Sequence, residues 1–305
     1  MTPVLERLAG GPISWGVCEV PGWGAELAPD RVLSEMASLG LRATEAGPVG
    51  YLGTDAQEVG VLLARHGLRL VGGFLPVVLH DPAEHEASIA AAHRVGALFE
   101  AVGASFLVSA AVVDLDWSPR TPLTSMEWRA VFTGLARLDE AAADHGLTHV
   151  AHPHWGTLLE QREDVERLIE GSDVLLCLDT GHLVLGGTDP VWLADAAHER
   201  IAHVHLKDVA GDLASRLRAA ELTLVAAVQS GLFRPLGEGE APIAETVRTL
   251  EHAGYGGWYV LEQDCALPSG DIPLGMGPIE GVRQSIEFLR FLSSDARFAS
   301  SVEGG

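Results

Sequence analysis

Short apolar runs alternate with longer amphipathic stretches along almost the whole chain, and this alternation constrains the fold more than any other feature. Short apolar runs are typical of strands buried in a parallel sheet, and the amphipathic stretches have helical spacing. The runs predict strands at Pro12–Trp15, Leu41–Ala46, Leu68–Leu75, Ser105–Ser109, Thr148–His152, Val174–Asp179, Ala202–Leu206 and Trp258–Glu262. The helical pattern occupies Pro29–Leu39, Asp55–His66, His85–Val102, Ser125–His145, Asp164–Glu170, Ile243–His252 and Ile279–Leu292.

Eight strand–helix units are the number needed for a closed parallel barrel, so the sequence predicts a single-domain α/β fold, a (β/α)8 TIM barrel. We expect the barrel to span residues 1–299 and residues 300–305 to form a disordered tail. A doubly wound open sheet is the alternative. It requires a glycine-rich turn after the first strand, whereas Gly10-Gly11-Pro12 precedes the predicted first strand.

Capping residues and long connections support the barrel. Asp55 can cap a first helical turn, and glycines follow the last turns at Gly40, Gly67, Gly103, Gly146 and Gly254. Two longer insertions, Asp114–Thr124 and Val209–Leu236, follow the fourth and seventh predicted strands. Both lie on the face where such barrels place their active sites.

Net charge restricts the class of partner. The chain has 42 acidic and 20 basic side chains, a formal charge of −22. Such a surface repels phosphate backbones and anionic lipids, so we expect neither nucleic-acid nor membrane binding. A neutral polyol or sugar is compatible with this negative electrostatic potential. The excess of acidic residues is explained equally well by a contribution to solubility.

Cysteine usage and hydropathy predict a cytoplasmic protein. Cys18, Cys177 and Cys265 are odd in number and far apart, which suits neither a disulfide framework nor a zinc ribbon. The first eleven residues carry Glu6 and Arg7 and have no apolar core of a secretory signal. No apolar stretch reaches the length of a membrane span.

Side chains of metal-ligating types lie at the C-terminal ends of the last four predicted strands: His152, Asp179, His205 and Glu262. The carboxyl ends of barrel strands meet at one rim, so these side chains are expected to lie together around a divalent metal. Asp179 has an alternative role as a helix cap, and Asp264 is an alternative ligand to Glu262. Two imidazoles and two carboxylates suit Mn²⁺, Co²⁺, Zn²⁺ or Fe²⁺, with Mn²⁺ and Co²⁺ the leading expectations, and are too rich in nitrogen for a dedicated Mg²⁺ or Ca²⁺ site.

Other polar residues flank these ligands. His154 shares a strand face with His152 and is predicted to point into the barrel mouth. His182 could orient a ligand or contact substrate. Lys207 continues the face of His205 and could stabilise an enolate; alternatively it forms an ion pair with Asp208 that holds the following loop.

Several sequence motifs of this chain resemble those of the xylose-isomerase-like barrel superfamily. They are H-P-H-W-G-T from His152, L-D-T-G-H from Leu178, H-V-H-L-K-D from His203, P-L-G-E-G from Pro235 and G-Y-G-G-W-Y-V-L-E-Q-D from Gly254. Within the superfamily they are most similar to the inosose (2-keto-myo-inositol) dehydratases, as are Pro12–Gly24 and Thr44–Thr54. The resemblance covers nearly the whole chain.

The resemblance implies that His152, Asp179, His205 and Glu262 are the four metal ligands. Relatives that isomerise or epimerise ketoses usually carry glutamate at the position of His152, as one of a proton-exchanging pair. A histidine in place of that glutamate favours a lyase. The expected enzyme is a metal-dependent dehydratase that eliminates water from a keto-cyclitol such as 2-keto-myo-inositol through an enolate. His154 and Glu45 are then the candidates for proton transfer.

Substrate contacts are expected from three further side chains. Glu238 resembles part of a substrate-covering loop, although a plain turn would look the same. Trp15 and Trp155 could form an apolar wall against a cyclitol ring, or could be core residues.

Four alternative functions stay open at this point. Two belong to the same superfamily, a ketose isomerase or epimerase and a lyase of 3-keto-glycosides. A DNA-repair endonuclease on this fold would need more histidine ligands and a basic groove, and the fourth alternative is a non-catalytic barrel. The small-molecule partner is expected to be a polyol or keto-sugar, and homo-oligomer formation is an open expectation.

Overall fold

The structure is a computed structural model that describes residues 2–20 and 22–294. The predicted tail at 300–305, and the end of the predicted barrel domain at 299, lie outside the described residues.

Parallel strands form a nearly closed barrel, with two short strands paired antiparallel beside its rim. In chain order the strands are β1 (Leu8–Gly10), β2 (Ala43–Thr44), β3 (Arg69–Leu70), β4 (Gly72–Val77), β5 (Phe106–Ala111), β6 (Thr148–Ala151), β7 (Leu175–Asp179), β8 (Ile201–Leu206), β9 (Asp208–Val209), β10 (Phe233–Arg234) and β11 (Tyr259–Leu261). The antiparallel pair is β9 and β10.

The barrel closes at Val71, which separates β3 from β4. The Val71 N–H donates to the Thr44 carbonyl at 2.9 Å, and its carbonyl accepts from Ser105 N–H at 2.8 Å. One residue therefore bonds to both neighbouring strands, so β3 and β4 are two halves of one barrel strand. The count of eight strands and the (β/α)8 architecture predicted from the sequence are confirmed.

Helices surround the barrel and cover its rim. They are α1 (Pro29–Ser38), α2 (Ala56–His66), α3 (His85–Val102), α4 (Ser125–Ala143), α5 (Arg162–Gly171), α6 (Thr180–Leu185), α7 (Pro190–Ala196), α8 (Gly211–Arg218), α9 (Leu224–Gln229), α10 (Ile243–His252) and α11 (Pro278–Ser294). None of the helices within 2–20 and 22–294 is long and apolar enough to cross a membrane.

The predicted first strand is wrong. Pro12–Trp15 forms a 3-10 helix, and the strand lies just before it at Leu8–Gly10. Pro12 has no N–H to donate to a sheet and its φ suits the first turn of a helix, while Gly16 ends the turn at φ +82°. Gly10 therefore ends the first strand and Gly11-Pro12 follow it, so the Gly10-Gly11-Pro12 segment does not precede the strand.

The helix signals agree better with the structure. The Asp55 side chain accepts from Glu58 N–H at 2.9 Å and caps α2. All five glycines predicted to end helices adopt positive φ. Helices α6 to α9 were not predicted, because six to eight residues are too few to show a clear 3.6-residue period.

The helix pair α8–α9 builds a second apolar core at the rim, separate from the main helix–barrel core. Its buried members include Trp23, Leu185, Val209, Leu213, Leu217, Val228, Leu232 and Phe233, and we call this set the rim cluster. The insertion predicted after the seventh strand is thus a packed element, and it borders the mouth of the barrel.

Candidate metal centre

The four side chains predicted as ligands converge at the carboxyl ends of the barrel strands. Asp179 Oδ2 lies 3.6 Å from His152 Nε2 and 3.6 Å from His205 Nδ1. Glu262 Oε2 lies 3.3 Å from the same His205 nitrogen. Asp179 and His205 thus connect the four side chains, which come from the ends of four different strands, into one cluster.

Unpaired polar atoms show that a cation fits there. Among the described residues, Asp179 Oδ2, His205 Nδ1 and both ring nitrogens of His152 are buried without a hydrogen-bond partner. Leaving such atoms unpaired costs free energy, so a shared cluster of them indicates a missing partner. Two overlapping ligand groups meet at Asp179, one with His152 and His182 and one with His205 and Glu262.

The two roles considered for Asp179, helix capping and metal ligation, are compatible in the structure. Its Oδ1 accepts from the His182 N–H at 2.8 Å and caps α6. The cap fixes the carboxylate, and the second oxygen is then held toward His152 and His205. Capping and ligation are therefore compatible functions of the two oxygens.

Glu45 lies behind His205 and determines which of its nitrogens is available. Glu45 Oε1 is 3.1 Å from His205 Nε2 and 2.7 Å from His203 Nε2. Burial alone would raise the pKa of Glu45, but the His205 and His203 rings outweigh it and hold that pKa well below its usual range. An ionised carboxylate on Nε2 leaves Nδ1 of His205 to bind a metal, the usual orientation of a ligating histidine.

Lys207 is buried beside the ligands. Its Nζ lies 3.0 Å from Glu262 Oε2, 2.8 Å from Asp264 Oδ1 and 2.9 Å from His182 Nε2. Burial opposes its charge, but the surrounding carboxylates, Asp179 first among them, raise the pKa of Lys207 well above its usual value. Its stem packs on Gly181, where an added Cβ would lie 2.7 Å from Lys207 Cγ.

The loop after β10 is held by Asp208 rather than by a Lys207–Asp208 ion pair, so that alternative is wrong. The buried Asp208 carboxylate accepts backbone N–H groups from Gly237 at 2.9 Å, Gly239 at 3.0 Å and Ala241 at 2.9 Å. Glu238 lies on this loop with an exposed side chain. Whether the loop covers a substrate stays a prediction.

A cavity of about 90 Å³ lies over the ligands. His152, His154, His205, Lys207 and Glu262 contribute polar groups to its lining, together with Glu45 and Asp264. Its aromatic wall consists of Phe74 on β4, Trp117 in the loop before α4, and Trp23, and the Phe74 and Trp117 rings stack at 6.3 Å.

Neither tryptophan predicted for this wall lines the cavity. Trp15 is fully buried in the main core and its indole N–H donates to Glu35 at 2.8 Å. Its side chain points toward α1 because Pro12–Trp15 is a helical turn and not a strand. Trp155 is partly buried and packs against the rim cluster.

Trp117 instead forms part of the aromatic wall of the cavity, and its backbone conformation is unusual. Its φ is +59°, a region that side chains other than glycine rarely adopt. Asp114 Oδ1 accepts N–H groups from Asp116 and Ser118 on either side of it. Strained residues held by such contacts are concentrated at functional sites.

His154 is a neutral imidazole over the ligands. Its Nδ1 is 2.7 Å from the Trp155 carbonyl, so that nitrogen carries the hydrogen and Nε2 keeps a lone pair. Burial, with the nearby His152 and Lys207, lowers the pKa of His154 to about 3. The His182 ring lies against the His154 ring, with 3.6 Å between centroids, and its Nε2 lies 2.9 Å from Lys207 Nζ. His182 therefore supports His154 and Lys207. It is not among the residues that line the cavity.

The pKa values of two carboxylates at the site, Glu262 and Asp264, are shifted in opposite directions. Burial opposes ionisation of both, but His205 and Lys207 lower the pKa of Glu262 to about 2. For Asp264, burial and the charge of Glu262 outweigh Lys207 and raise its pKa to about 6. Glu262 is therefore the more acidic of the two carboxylates, and its choice over Asp264 as the ligand stays a prediction.

Sequence reasoning missed several residues that shape the site, among them Trp23, Phe74, Trp117 and Gly11. Phe74 ends no run that could have marked it, and Trp117 lies in a loop whose conformation depends on Asp114. A Cβ on Gly11 would lie 2.8 Å from Glu262 Cγ, so Glu262 needs a glycine there. The Gly10-Gly11-Pro12 turn was the available signal, but the misplaced first strand concealed it.

Comparisons with known proteins agree with the barrel fold. Residues 33–292 match the family model described as "Xylose isomerase-like TIM barrel". An inosose dehydratase of Geobacillus kaustophilus (strain HTA426) is 32% identical over 270 residues, 85% of this chain and 87% of that protein.

Two solved structures share the fold at low identity. A D-allulose 3-epimerase of Methylomonas sp. superimposes with a TM-score of 0.69 and 15% identity, covering 94% of this chain and 97% of the other. The IOLI protein with a bound zinc atom has a TM-score of 0.68 and 14% identity, covering 94% and 98%.

Proposed function

The chain belongs to the xylose isomerase-like TIM barrel family, and from this premise we propose that it is a metal-dependent dehydratase, a carbon–oxygen lyase. Its substrate class would be a small keto-cyclitol such as 2-keto-myo-inositol, and its place would be in inositol or carbohydrate catabolism. A relative named inosose dehydratase, 32% identical over 85% of the chain, supports this choice.

The observation that carries the proposal is the imidazole of His152 in the ligand cluster. The family resemblance implies a glutamate at this position in enzymes that exchange protons on two faces of an enediolate. His152 Nε2 lies 3.6 Å from Asp179 Oδ2. Burial lowers the pKa of His152, which favours the neutral imidazole. A single-base reaction, which removes one proton and expels one hydroxyl, suits this site better.

His152, Asp179, His205 and Glu262 would hold the metal ion. When bound, a divalent metal polarises a ketone oxygen and acidifies the neighbouring C–H. The donor set supports Mn²⁺, Co²⁺, Zn²⁺ or Fe²⁺, and a zinc atom occurs in one protein of the same fold. We propose Mn²⁺ or Co²⁺ as the first ions to test.

Residues of this chain can perform the remaining steps. Phe74 and Trp117 would contact the apolar C–H face of the ring. Nε2 of His154 would remove the α-proton, because its Nδ1 hydrogen is committed to the Trp155 carbonyl. Lys207 would hydrogen-bond to the oxygen that gains negative charge. The Lys207–Asp264 pair would supply the proton with which the departing hydroxide leaves as water.

Glu45 takes a different role from the one predicted. Its Oε1 is shared between His203 and His205, so we propose that it orients His205 and does not transfer a proton to substrate. A cytoplasmic location and homo-oligomer formation stay predictions from the sequence.

The test is to load chelator-treated protein with Mn²⁺, Co²⁺ or Zn²⁺, add 2-keto-myo-inositol and follow the ultraviolet absorbance of a conjugated dione. We expect product with at least one ion and none with Glu262→Gln, while Glu26→Gln, an exposed acidic control, stays active. Solvent deuterium exchange without loss of water would contradict a dehydratase and favour the epimerase alternative. Absence of turnover with all three ions would overturn the proposed substrate.

A further inference from the structure

A buried thiol lies directly beneath the proposed ligands, inside the barrel. Cys177 precedes Asp179 by two residues on β7 and shares its face, so it lies about 7 Å deeper along the barrel. Its side chain is fully buried against Val108 and Val150. The interior of a barrel of this kind is ordinarily filled by branched aliphatic side chains, so a thiol at this position needs an explanation.

Cys177 forms a ligand group with two of the same imidazoles. Its Sγ and one ring nitrogen each from His152 and His205 lie within 4.8 Å of one another, and all three residues are buried. Within the described part of the chain, both nitrogens of His152 lack a hydrogen-bond partner. Neither nitrogen of His152 is therefore committed to another protein group, and either one can bind a cation.

We propose that the metal centre has a second, deeper cation position formed by His152, Cys177 and His205, which takes thiolate-binding ions such as Zn²⁺ or Cd²⁺. This inference rests on the proposed function for the two shared histidines. Because both positions use the same imidazoles, one ion occupies one position at a time.

The chemistry of the two positions differs. The outer position adds the carboxylates of Asp179 and Glu262, which suit Mn²⁺, whereas the deeper one adds a sulfur, which selects softer ions. The Cys177 thiol would lose its proton to solvent as the cation binds, since a coordinating thiol is deprotonated. An ion in the deeper position lies farther from the cavity, so soft ions are expected to bind tightly and to support catalysis poorly.

Cadmium spectroscopy tests the proposal without measuring activity. A Cys18→Ser/Cys265→Ser double variant keeps Cys177 as its one thiol, so an ultraviolet thiolate-to-cadmium charge-transfer band in Cd²⁺-loaded protein would identify Cys177 as a ligand. We expect this band in the double variant and in the unaltered protein, and its loss in Cys177→Ser. Cd²⁺ binding without a charge-transfer band in the double variant would overturn the deeper position and leave the proposed function intact.

Affinity measurements give an independent check. Cys177→Ser is expected to weaken Cd²⁺ binding about tenfold or more, while Mn²⁺ affinity changes about twofold or less. Equal losses for both ions, or unchanged Cd²⁺ affinity, would overturn the proposal. Failure of the unaltered protein to bind any of these ions would overturn both this inference and the metal-dependent function.

Discussion

Glu45 Oε1 lies 3.1 Å from His205 Nε2, across the barrel from the strand that carries the histidine. This contact leaves His205 Nδ1 to face Asp179 and Glu262. Glu45 would therefore act on the proposed metal centre by orienting one imidazole, and its removal tests that role directly.

Replacement of Glu45 by alanine is expected to weaken Mn²⁺ or Co²⁺ binding about 10- to 100-fold, the usual cost of losing the partner of a ligating histidine. Isothermal titration of chelator-treated protein would measure the change. Glu26→Ala removes one exposed negative charge elsewhere and should leave affinity unchanged. An unchanged dissociation constant in Glu45→Ala would contradict the orienting role.

Replacement of Gly11 by alanine is expected to displace Glu262, because the added Cβ would lie 2.8 Å from both its Cγ and Oε1. The loss of a correctly placed ligand should reduce metal affinity about tenfold or more. Gly60→Ala in α2 is the matched control, since nothing lies within 4 Å of its Cβ. That control should bind metal normally and be slightly stabilised, by about 0.5–1 kcal/mol.

Replacement of Asp208 by alanine is expected to lower the free energy of unfolding by about 2–4 kcal/mol, because three loop N–H groups lose a charged acceptor. Denaturant titration would measure it. Asp212→Ala, an exposed acidic residue in α8, should change the value by about 0.5 kcal/mol or less. If the two variants were equally stable, Asp208 would not be the anchor of the loop.

The pKa of Asp264, raised from 3.8 to about 6, predicts a pH-dependent stability difference. The folded protein binds this proton more tightly than the unfolded chain, so the contribution of Asp264 to stability is present below about pH 4 and lost as pH rises through 6. Relative to Asp264→Asn, chelator-treated protein should lose about 1–3 kcal/mol between pH 4 and pH 7. A difference independent of pH, or one of opposite sign, would show that the pKa is not raised.

Replacement of Trp117 by glycine separates ring contact from backbone strain. Glycine adopts φ +59° without penalty, so stability should be maintained while loss of the ring raises KM about tenfold or more. Steady-state kinetics and thermal unfolding would measure the two effects. Trp192→Gly, which removes a tryptophan on α7 that stacks with Arg162, should leave KM unchanged. A normal KM in Trp117→Gly would exclude Trp117 from the substrate wall.

The convergence of the four proposed ligands could be predicted because it depends on local periodicity. His152, Asp179, His205 and Glu262 end short apolar runs, and parallel strands of a barrel bring their carboxyl ends to one rim. The glycine caps and the Asp55 cap follow from backbone conformations that few residues adopt. These features needed no knowledge of which distant residues meet.

Other features depend on contacts between distant parts of the chain. Trp15 and Trp117 are equally plausible wall residues in the sequence, but a helical turn directs Trp15 into the core and the Asp114 loop directs Trp117 into the cavity. Asp208 and Lys207 are adjacent, yet one holds a loop about 30 residues away and the other joins the carboxylates of the centre. Strand periodicity thus determined where the ligands lie, whereas side-chain partners in the loops were decided by long-range packing, which local sequence patterns do not encode.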